Sequence, residues 1–228
     1  MTAKPPELHI LDDPAVAVGL LIADQAARGG SIVLTGGSTP GTAYERAAGL
    51  QPDWGRVTLW WSDERCVPPE DERSNYRLAK ETLLDHLETP PDAVHRIRGE
   101  LSPTQAADEL DAALEGARLD LVLLGLGADG HTASLFPGSP QLAVLDRRAT
   151  SGPAGLEPFV YRVTMTVPTI QSAANIAFLV TGEEKAAAVA RAFTGEPTPE
   201  VPASLACLAP GDIKVFLDAS AASKLPGR

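Results

Sequence analysis

Short apolar runs punctuate this chain, and amphipathic stretches separate them. Ser31 to Thr35, Val57 to Trp61, Leu121 to Leu124, Ile176 to Thr181 and Ile213 to Leu217 are brief and mostly apolar, as strands buried on both faces of a parallel sheet are. Val94 to Ile97 is a further candidate, and Val160 to Val167 alternates polar and apolar positions with the strand period. The segments between them read as helices. Asp13 and Pro14 supply a cap and a first-turn proline, and Gly29-Gly30 stops the helix they start. Tyr44 to Ala48, Ser74 towards Leu87, Ser102-Pro103 to near Gly116, Pro168 to Ala174 and Glu183 to Phe193 are the other helical segments. Gly36 to Gly41 and the polar stretch from Ser62 through Arg73 read as loops. Strands alternating with helices imply parallel pairing through right-handed crossovers. The predicted fold is therefore α/β: a doubly wound, mostly parallel, Rossmann-like sheet with helices on both faces, in a single domain over residues 1–228.

Composition narrows the class without changing that picture. A chain of 228 residues can bury a substantial core, and 44% hydrophobic with 21% charged residues describes an ordinary globular protein. No apolar run approaches the roughly 18 residues a membrane span needs, and Met1 to Ile10 lacks a signal-peptide layout, so a cytoplasmic protein is expected. Cys66 and Cys207 lie far apart, match no metal spacing and are expected to stay reduced. Nineteen basic against thirty acidic side chains leave a net charge of −11, which argues against nucleic acid and anionic membranes as partners. An acidic chain can still hold a small anion where backbone N–H groups and a few Arg or Lys converge.

Three strand ends could build such a place, because ligands of open α/β sheets sit beyond the carboxyl ends of the strands. After Leu34 come Thr35-Gly36-Gly37-Ser38-Thr39-Pro40-Gly41, with glycines that admit a phosphate and a proline where a helix should start. Gly36 and Gly41 have Walker A spacing, but Thr42 stands where the lysine belongs, which argues against a nucleoside triphosphatase. Ser38 nearly fits a nucleophile elbow, with Pro40 in place of the closing glycine. After Trp61 come Ser62-Asp63-Glu64-Arg65, offering Arg65 as a phosphate clamp and Asp63 as its orienter, or a solvated loop with internal ion pairs. Cys66 has no base nearby to activate it. After Leu124 come Gly125-Leu126-Gly127-Ala128-Asp129-Gly130-His131, where the imidazole is placed to move protons at neutral pH and Asp129 precedes it by two residues. Taken alone, these glycines also fit a tight turn that His131 merely fills. The same run is a G-x-G-x-x-G with Asp146, Arg147 and Arg148 behind it, the dinucleotide fingerprint. Against that reading, Asp129 would face a pyrophosphate, and Pro137-Gly138 cuts short the helix the fingerprint requires.

Taken together, LTGGSTP, WWSDERCVPPEDERSNYRLA, LGLGADGHTASLFPG, RVTMTVPTIQSAANIAFLVTGEEKA and the late Pro202-Ala203-Ser204 resemble the 6-phosphogluconolactonase family. That family lies within the wider superfamily that includes glucosamine-6-phosphate deaminase. The blocks run in family order from about Leu34 to Ser204. The resemblance implies hydrolysis of 6-phosphoglucono-1,5-lactone to 6-phosphogluconate in the oxidative pentose phosphate pathway, with no cofactor and no metal. It implies a sugar-phosphate lactone as the small-molecule partner, and the expected assembly is a monomer or weak homodimer. It implies that Gly36, Gly37, Ser38 and Thr39 cradle the 6-phosphate, with charge from Arg65, Arg162 and Lys185 and with Asp63 beside them. His131 becomes the general base on water, and Asp129 positions substrate or polarises the imidazole. By themselves, Arg162 reads as the polar face of an alternating strand and Lys185 as a helix-start lysine. The deaminases read DEY where this chain has Asp63-Glu64-Arg65, and they carry a glutamate soon after the histidine. Here no acid follows His131 until Asp146, which favours the lactonase. Relatives often place a lysine three residues before the arginine matching Arg162, where this chain has Phe159. A deaminase-like isomerase, a serine esterase using Ser38 and a non-catalytic sugar-phosphate binder remain the alternatives.

Overall fold

In the computed structural model, which describes residues 4–227, seven strands form one parallel sheet in the order β1-β10-β9-β6-β2-β3-β5. Their ranges are β1 Glu7–Ile10, β2 Gly30–Leu34, β3 Val57–Trp61, β5 Ala93–His95, β6 Leu121–Leu124, β9 Asn175–Val180 and β10 Asp212–Leu217. The apolar runs fall on the inner strands because only a strand covered on both faces can bury every residue. All four residues of β6 are buried, and each such side chain contributes roughly 1.5–3 kcal/mol by leaving water.

The helices are α1 Pro14–Arg28, α2 Ser38–Leu50, α3 Asn75–Thr82, α4 Pro103–Ala113, α5 Val167–Gln171, α6 Ala186–Thr194 and α7 Pro202–Ala206. Caps set several starts. Asp13 accepts from Val16 N at 3.2 Å, Ser74 from Arg77 N at 3.1 Å and Ser102 from Gln105 N at 3.4 Å. Crossovers from β1 through β2 and β3 to β5 run one way along the sheet, and those from β5 through β6 and β9 to β10 run back. Right-handed crossovers then put α1 to α3 on one face and α4 to α7 on the other, in keeping with the contacts of α1 with α2, α2 with α3, and α7 with α5 and α6. The direction reverses between β2 and β6, and there the crevice opens.

Several elements depart from the sequence expectation. The stretch Gly36 to Gly41 is not all loop, since α2 already begins at Ser38. The loop from Ser62 to Arg73 contains a strand, β4 Asp63–Arg65, and a second sheet exists: β4, β8 Arg162–Met165 and β7 Ala149–Gly152 pair antiparallel in the order β4-β8-β7. The alternation of Val160 to Val167 thus belongs to a strand outside the parallel sheet. Strands β1, β4 and β7 and helix α7 carry too little periodicity over three to five residues to be seen in advance. The segment from Glu183 opens as a 3-10 turn, Glu183–Lys185, before α6.

Candidate active site

The loop after β2 is held at its root. Thr35 N donates to Tyr44 Oη at 2.9 Å and Tyr44 Oη donates to Thr35 O at 2.6 Å, with Tyr44 wholly buried and its pKa pushed up by that burial. Gly37, at φ +111, turns the chain into α2, whose N-terminus has no side-chain cap. The first N–H groups of a helix lack intrahelical acceptors and carry the positive end of its dipole, so this end attracts anions. A side chain at Gly36 would strike Asn75 Oδ1 at 2.0 Å, so only glycine lets α3 approach this turn. Thr39 is tied to the loop after β9 through Thr181, Oγ1 to Oγ1 at 3.0 Å.

The loop after β6 carries the imidazole. Asp129 Oδ1 accepts from His131 Nδ1 at 2.6 Å and from His131 N at 3.1 Å. Burial works to raise the Asp129 pKa, but the hydrogen bonds from His131 outweigh it and hold the carboxyl below its ordinary value. The ring leans on Phe136 at 4.8 Å between centroids. A Cβ on Gly127 would lie 2.0 Å from His131 Nδ1 and 2.6 Å from Asp129 Oδ1, so the pair requires glycine there. No helix follows this turn; the next element is the 3-10 turn Pro140–Ala143, and the dinucleotide fingerprint lacks its helix.

The third arm is β4. Glu64 is buried and accepts four hydrogen bonds: Arg65 N, Asn75 N and Tyr76 N, each at 2.8 Å, and Ser74 Oγ at 3.0 Å. It thereby fastens the start of α3 to β4. Burial raises its pKa against the pull of those backbone N–H groups. Arg65 and Arg162 are register partners across β4 and β8, so their side chains share one face. Arg65 Nη1 donates to Arg73 O and Arg162 Nη2 to Pro158 O at 3.1 Å. Arg65 Nε and Arg162 Nη1 are buried with no acceptor, and neither arginine has a carboxylate ion pair among the described residues. Burial, with Arg65 beside it, holds the Arg162 pKa below its usual value. Two neighbouring guanidiniums with unspent donors form a place for an anion. Burial pushes the Cys66 thiol up to about 11, in line with an unactivated cysteine.

These arms enclose a cleft of about 180 Å3 lined by Thr35, Gly36, Gly37, Asp63, Arg65, Asn75, Gly125, Leu126, Gly127, His131, Ala133 and Lys185. A groove between α1 and α2 is larger, about 430 Å3, but it offers only Asp13, Glu45 and Arg46 among ionisable groups and no convergent donors. Of the residues singled out from sequence, Gly36, Gly37, Asp63, Arg65, His131 and Lys185 line the cleft. Ser38 and Thr39 sit in the first turn of α2, Asp129 stands behind the imidazole, and Arg162 behind Arg65. No hydrogen bond joins Ser38 to His131 among the described residues, which leaves Ser38 without a base. Phe159 is 72% exposed. Sequence reasoning passed over Asn75, Glu64, Ala133 and Ser134. Asn75 follows a recognisable helix cap, and Ser134 lies three residues past the histidine; nothing local marks what either touches.

The sequence pattern of the Glucosamine-6-phosphate isomerases/6-phosphogluconolactonase family matches residues 17–216. The chain belongs to that family. It is 37% identical over 226 residues to 6-phosphogluconolactonase of Mycobacterium tuberculosis, covering 92% of this chain and 91% of that one. It is 39% identical over 186 residues to 6-phosphogluconolactonase of Synechocystis sp., covering 75% and 74%. The solved structure of 6-phosphogluconolactonase from Trypanosoma cruzi superposes with a TM-score of 0.85 at 30% identity, covering 99% of this chain and 98% of that one. Within the family the chain falls with the 6-phosphogluconolactonases, which are lactone hydrolases.

Proposed function

We propose that this chain hydrolyses 6-phosphoglucono-1,5-lactone to 6-phosphogluconate, with His131 as general base on the attacking water. The observation that carries the reading is the 2.6 Å contact between Asp129 Oδ1 and His131 Nδ1 at the rim of a cleft that Arg65 and Lys185 also line. A carboxylate on that nitrogen keeps the proton on Nδ1, so Nε2 is the basic atom. Nε2 takes a proton from water as the water oxygen bonds to the lactone carbonyl carbon. The tetrahedral adduct then collapses, the bond from that carbon to the ring oxygen breaks, and the imidazolium returns its proton to the ring oxygen. An ester so activated needs no covalent nucleophile. General-base help contributes about 100- to 10,000-fold.

The phosphate end is the tether. The N-terminus of α2, with Gly36, Gly37, Ser38 and Thr39, meets the dianion, and Arg65, Lys185 and the more buried Arg162 supply charge. Asp63, at the base of β4, orients the rim. Binding the distant phosphate holds the carbonyl against the base, a gain in orientation rather than in chemistry. The expected assembly is a monomer or weak homodimer, which sedimentation velocity would check. Both cysteines are free, in keeping with a reducing cytoplasm. Among the described residues no helix is long and apolar enough to cross a membrane.

The test is a pH-stat assay on freshly made 6-phosphogluconolactone, corrected for spontaneous hydrolysis. Wild-type protein should hydrolyse it, and His131→Ala should lose about 100- to 10,000-fold in kcat while still binding 6-phosphogluconate. A variant with near wild-type turnover removes His131 as the base. Binding without turnover by the wild type makes the chain a sensor. Ammonia released from glucosamine 6-phosphate makes it a deaminase, and inactivation by an organophosphate moves the chemistry to Ser38.

A further inference from the structure

Three residues beyond the imidazole, the same loop is bolted to the small sheet. Ser134 is 1% exposed, and its Oγ donates to Asp63 Oδ2 at 2.6 Å across a sequence separation of 71 residues. Its backbone N donates to Thr164 Oγ1 at 3.3 Å. Asp63 and Thr164 are themselves register partners across β4 and β8, two positions along from the pair Arg65 and Arg162. Side chains two residues apart on a strand share a face, so Ser134 docks on the face that carries both arginines.

The residue between His131 and this anchor that bears the strain is Ala133, at φ +48, the one non-glycine with positive φ among the described residues. A residue with a Cβ adopts that conformation only where its surroundings hold it. On one side Thr132 Oγ1 donates to Gly125 O at 2.9 Å, tying the loop to the end of β6. On the other side stands Ser134 with its two bonds to the small sheet. Leu135 N closes the turn on Thr132 O at 3.0 Å. Asp63 is in turn steadied by Ser62 Oγ at 3.2 Å and Asn75 Nδ2 at 3.3 Å, so the anchor does not swing.

We propose that Ser134 is a positioning residue for the hydrolysis: through Asp63 it sets the distance between the His131 imidazole and the arginine pair that holds the far end of the substrate. This rests on the lactonase reading above. The bond uses neither the imidazole nor a guanidinium donor, so losing the Ser134 hydroxyl moves the base relative to the carbonyl while Asp63, Arg65 and Arg162 all remain. Misplacement of that kind shows in the transition state and not in the ground state.

The experiment is a kinetic double-mutant cycle on the full chain with 6-phosphogluconolactone, using Ser134→Ala, Asp63→Ala and the double variant, with thermal midpoints measured alongside. Ser134→Ala is expected to lower kcat about 10- to 100-fold with KM within about twofold of wild type. The double variant should be no slower than Asp63→Ala alone. Ser134→Thr keeps the hydroxyl and should recover most of the rate, and it stands in should the alanine variant not fold. An unchanged kcat in Ser134→Ala, a loss confined to KM, additive losses in the double variant, or equal losses in the threonine and alanine variants would each overturn the proposal. Absence of lactone hydrolysis by the wild type fails the lactonase reading instead, and so stays distinguishable.

Discussion

The two halves of the rim are built in opposite ways. The imidazole half is local: Asp129 and His131 are two residues apart, and one tight turn with Gly127 at its floor brings their side chains to 2.6 Å. The arginine half is assembled from distance. Arg65 and Arg162 meet because β4 and β8 pair, and β4 stays in place because Glu64 grips the start of α3. A local device costs little chain entropy to close, and its geometry depends on few neighbours. A distant one depends on the whole domain, so damage to it should spread into stability. The local half should therefore fail in kcat alone, and the distant half in KM and in thermal midpoint.

The strongest test of that division is Glu64→Gln. The amide nitrogen would face N–H and O–H donors that the carboxylate now satisfies, and each buried donor left unpaired costs about 1–3 kcal/mol. With about two donors stranded, Tm should fall by roughly 5–15 °C in a thermal melt. A variant as stable as wild type would show that β4 does not depend on this carboxylate.

Next comes Gly127→Ala, which breaks the local half without touching the small sheet. The added methyl would overlap His131 Nδ1 and Asp129 Oδ1, so the ring must leave its partner. The expected result is a drop in kcat of about 100-fold. KM and Tm should change little, and a loss shared equally with KM would erase the distinction between the halves.

Arg65→Ala sharpens the same contrast from the other side. One charge-assisted phosphate contact is worth about 1.5–3 kcal/mol, so KM should rise about 10- to 100-fold with kcat nearly kept. Isothermal titration with 6-phosphogluconate reads the same loss directly. Unchanged affinity would take Arg65 off the phosphate.

The smallest effect is one of pH. Arg96 and Arg98 bond Glu100, whose pKa they hold down at about 2, and Gly99 beside it packs against the carbonyl of Arg65. A depressed carboxyl stabilises the fold above its unfolded pKa, and that help is lost progressively as pH falls from about 4 through the folded value of about 2. The pair is solvent-facing, so Glu100→Gln should cost under about 1 kcal/mol at neutral pH, with the cost shrinking as pH falls through about 2. An equal cost at both pH values would mean the charge is not what matters.

Two hydrogen bonds from Ser134, to Asp63 and to Thr164, join the halves. The local turn fixes imidazole to carboxylate, and on the positioning proposal the Ser134 anchor fixes that pair to the anion arm.

The sequence by itself determined the parallel core and the imidazole turn. Runs such as Leu121 to Leu124 and Val57 to Trp61 are apolar at every or nearly every position, and only a doubly covered strand can bury them so. Asp129 and His131 are near in the chain, so their meeting needed only the glycines written around them. The tertiary structure alone decided the rest. Strands as short as β4 and β7 carry no readable period, and Asp63-Glu64-Arg65 looked like a loop until β8 paired with it. The partnership of Arg65 with Arg162 and the docking of Ser134 on Asp63 join residues that no short window of the chain contains together, and the burial of Glu64 follows from the closing of the same sheet. Pairings of that kind follow from where strands lie once the domain has closed, and a one-dimensional pattern holds no record of it.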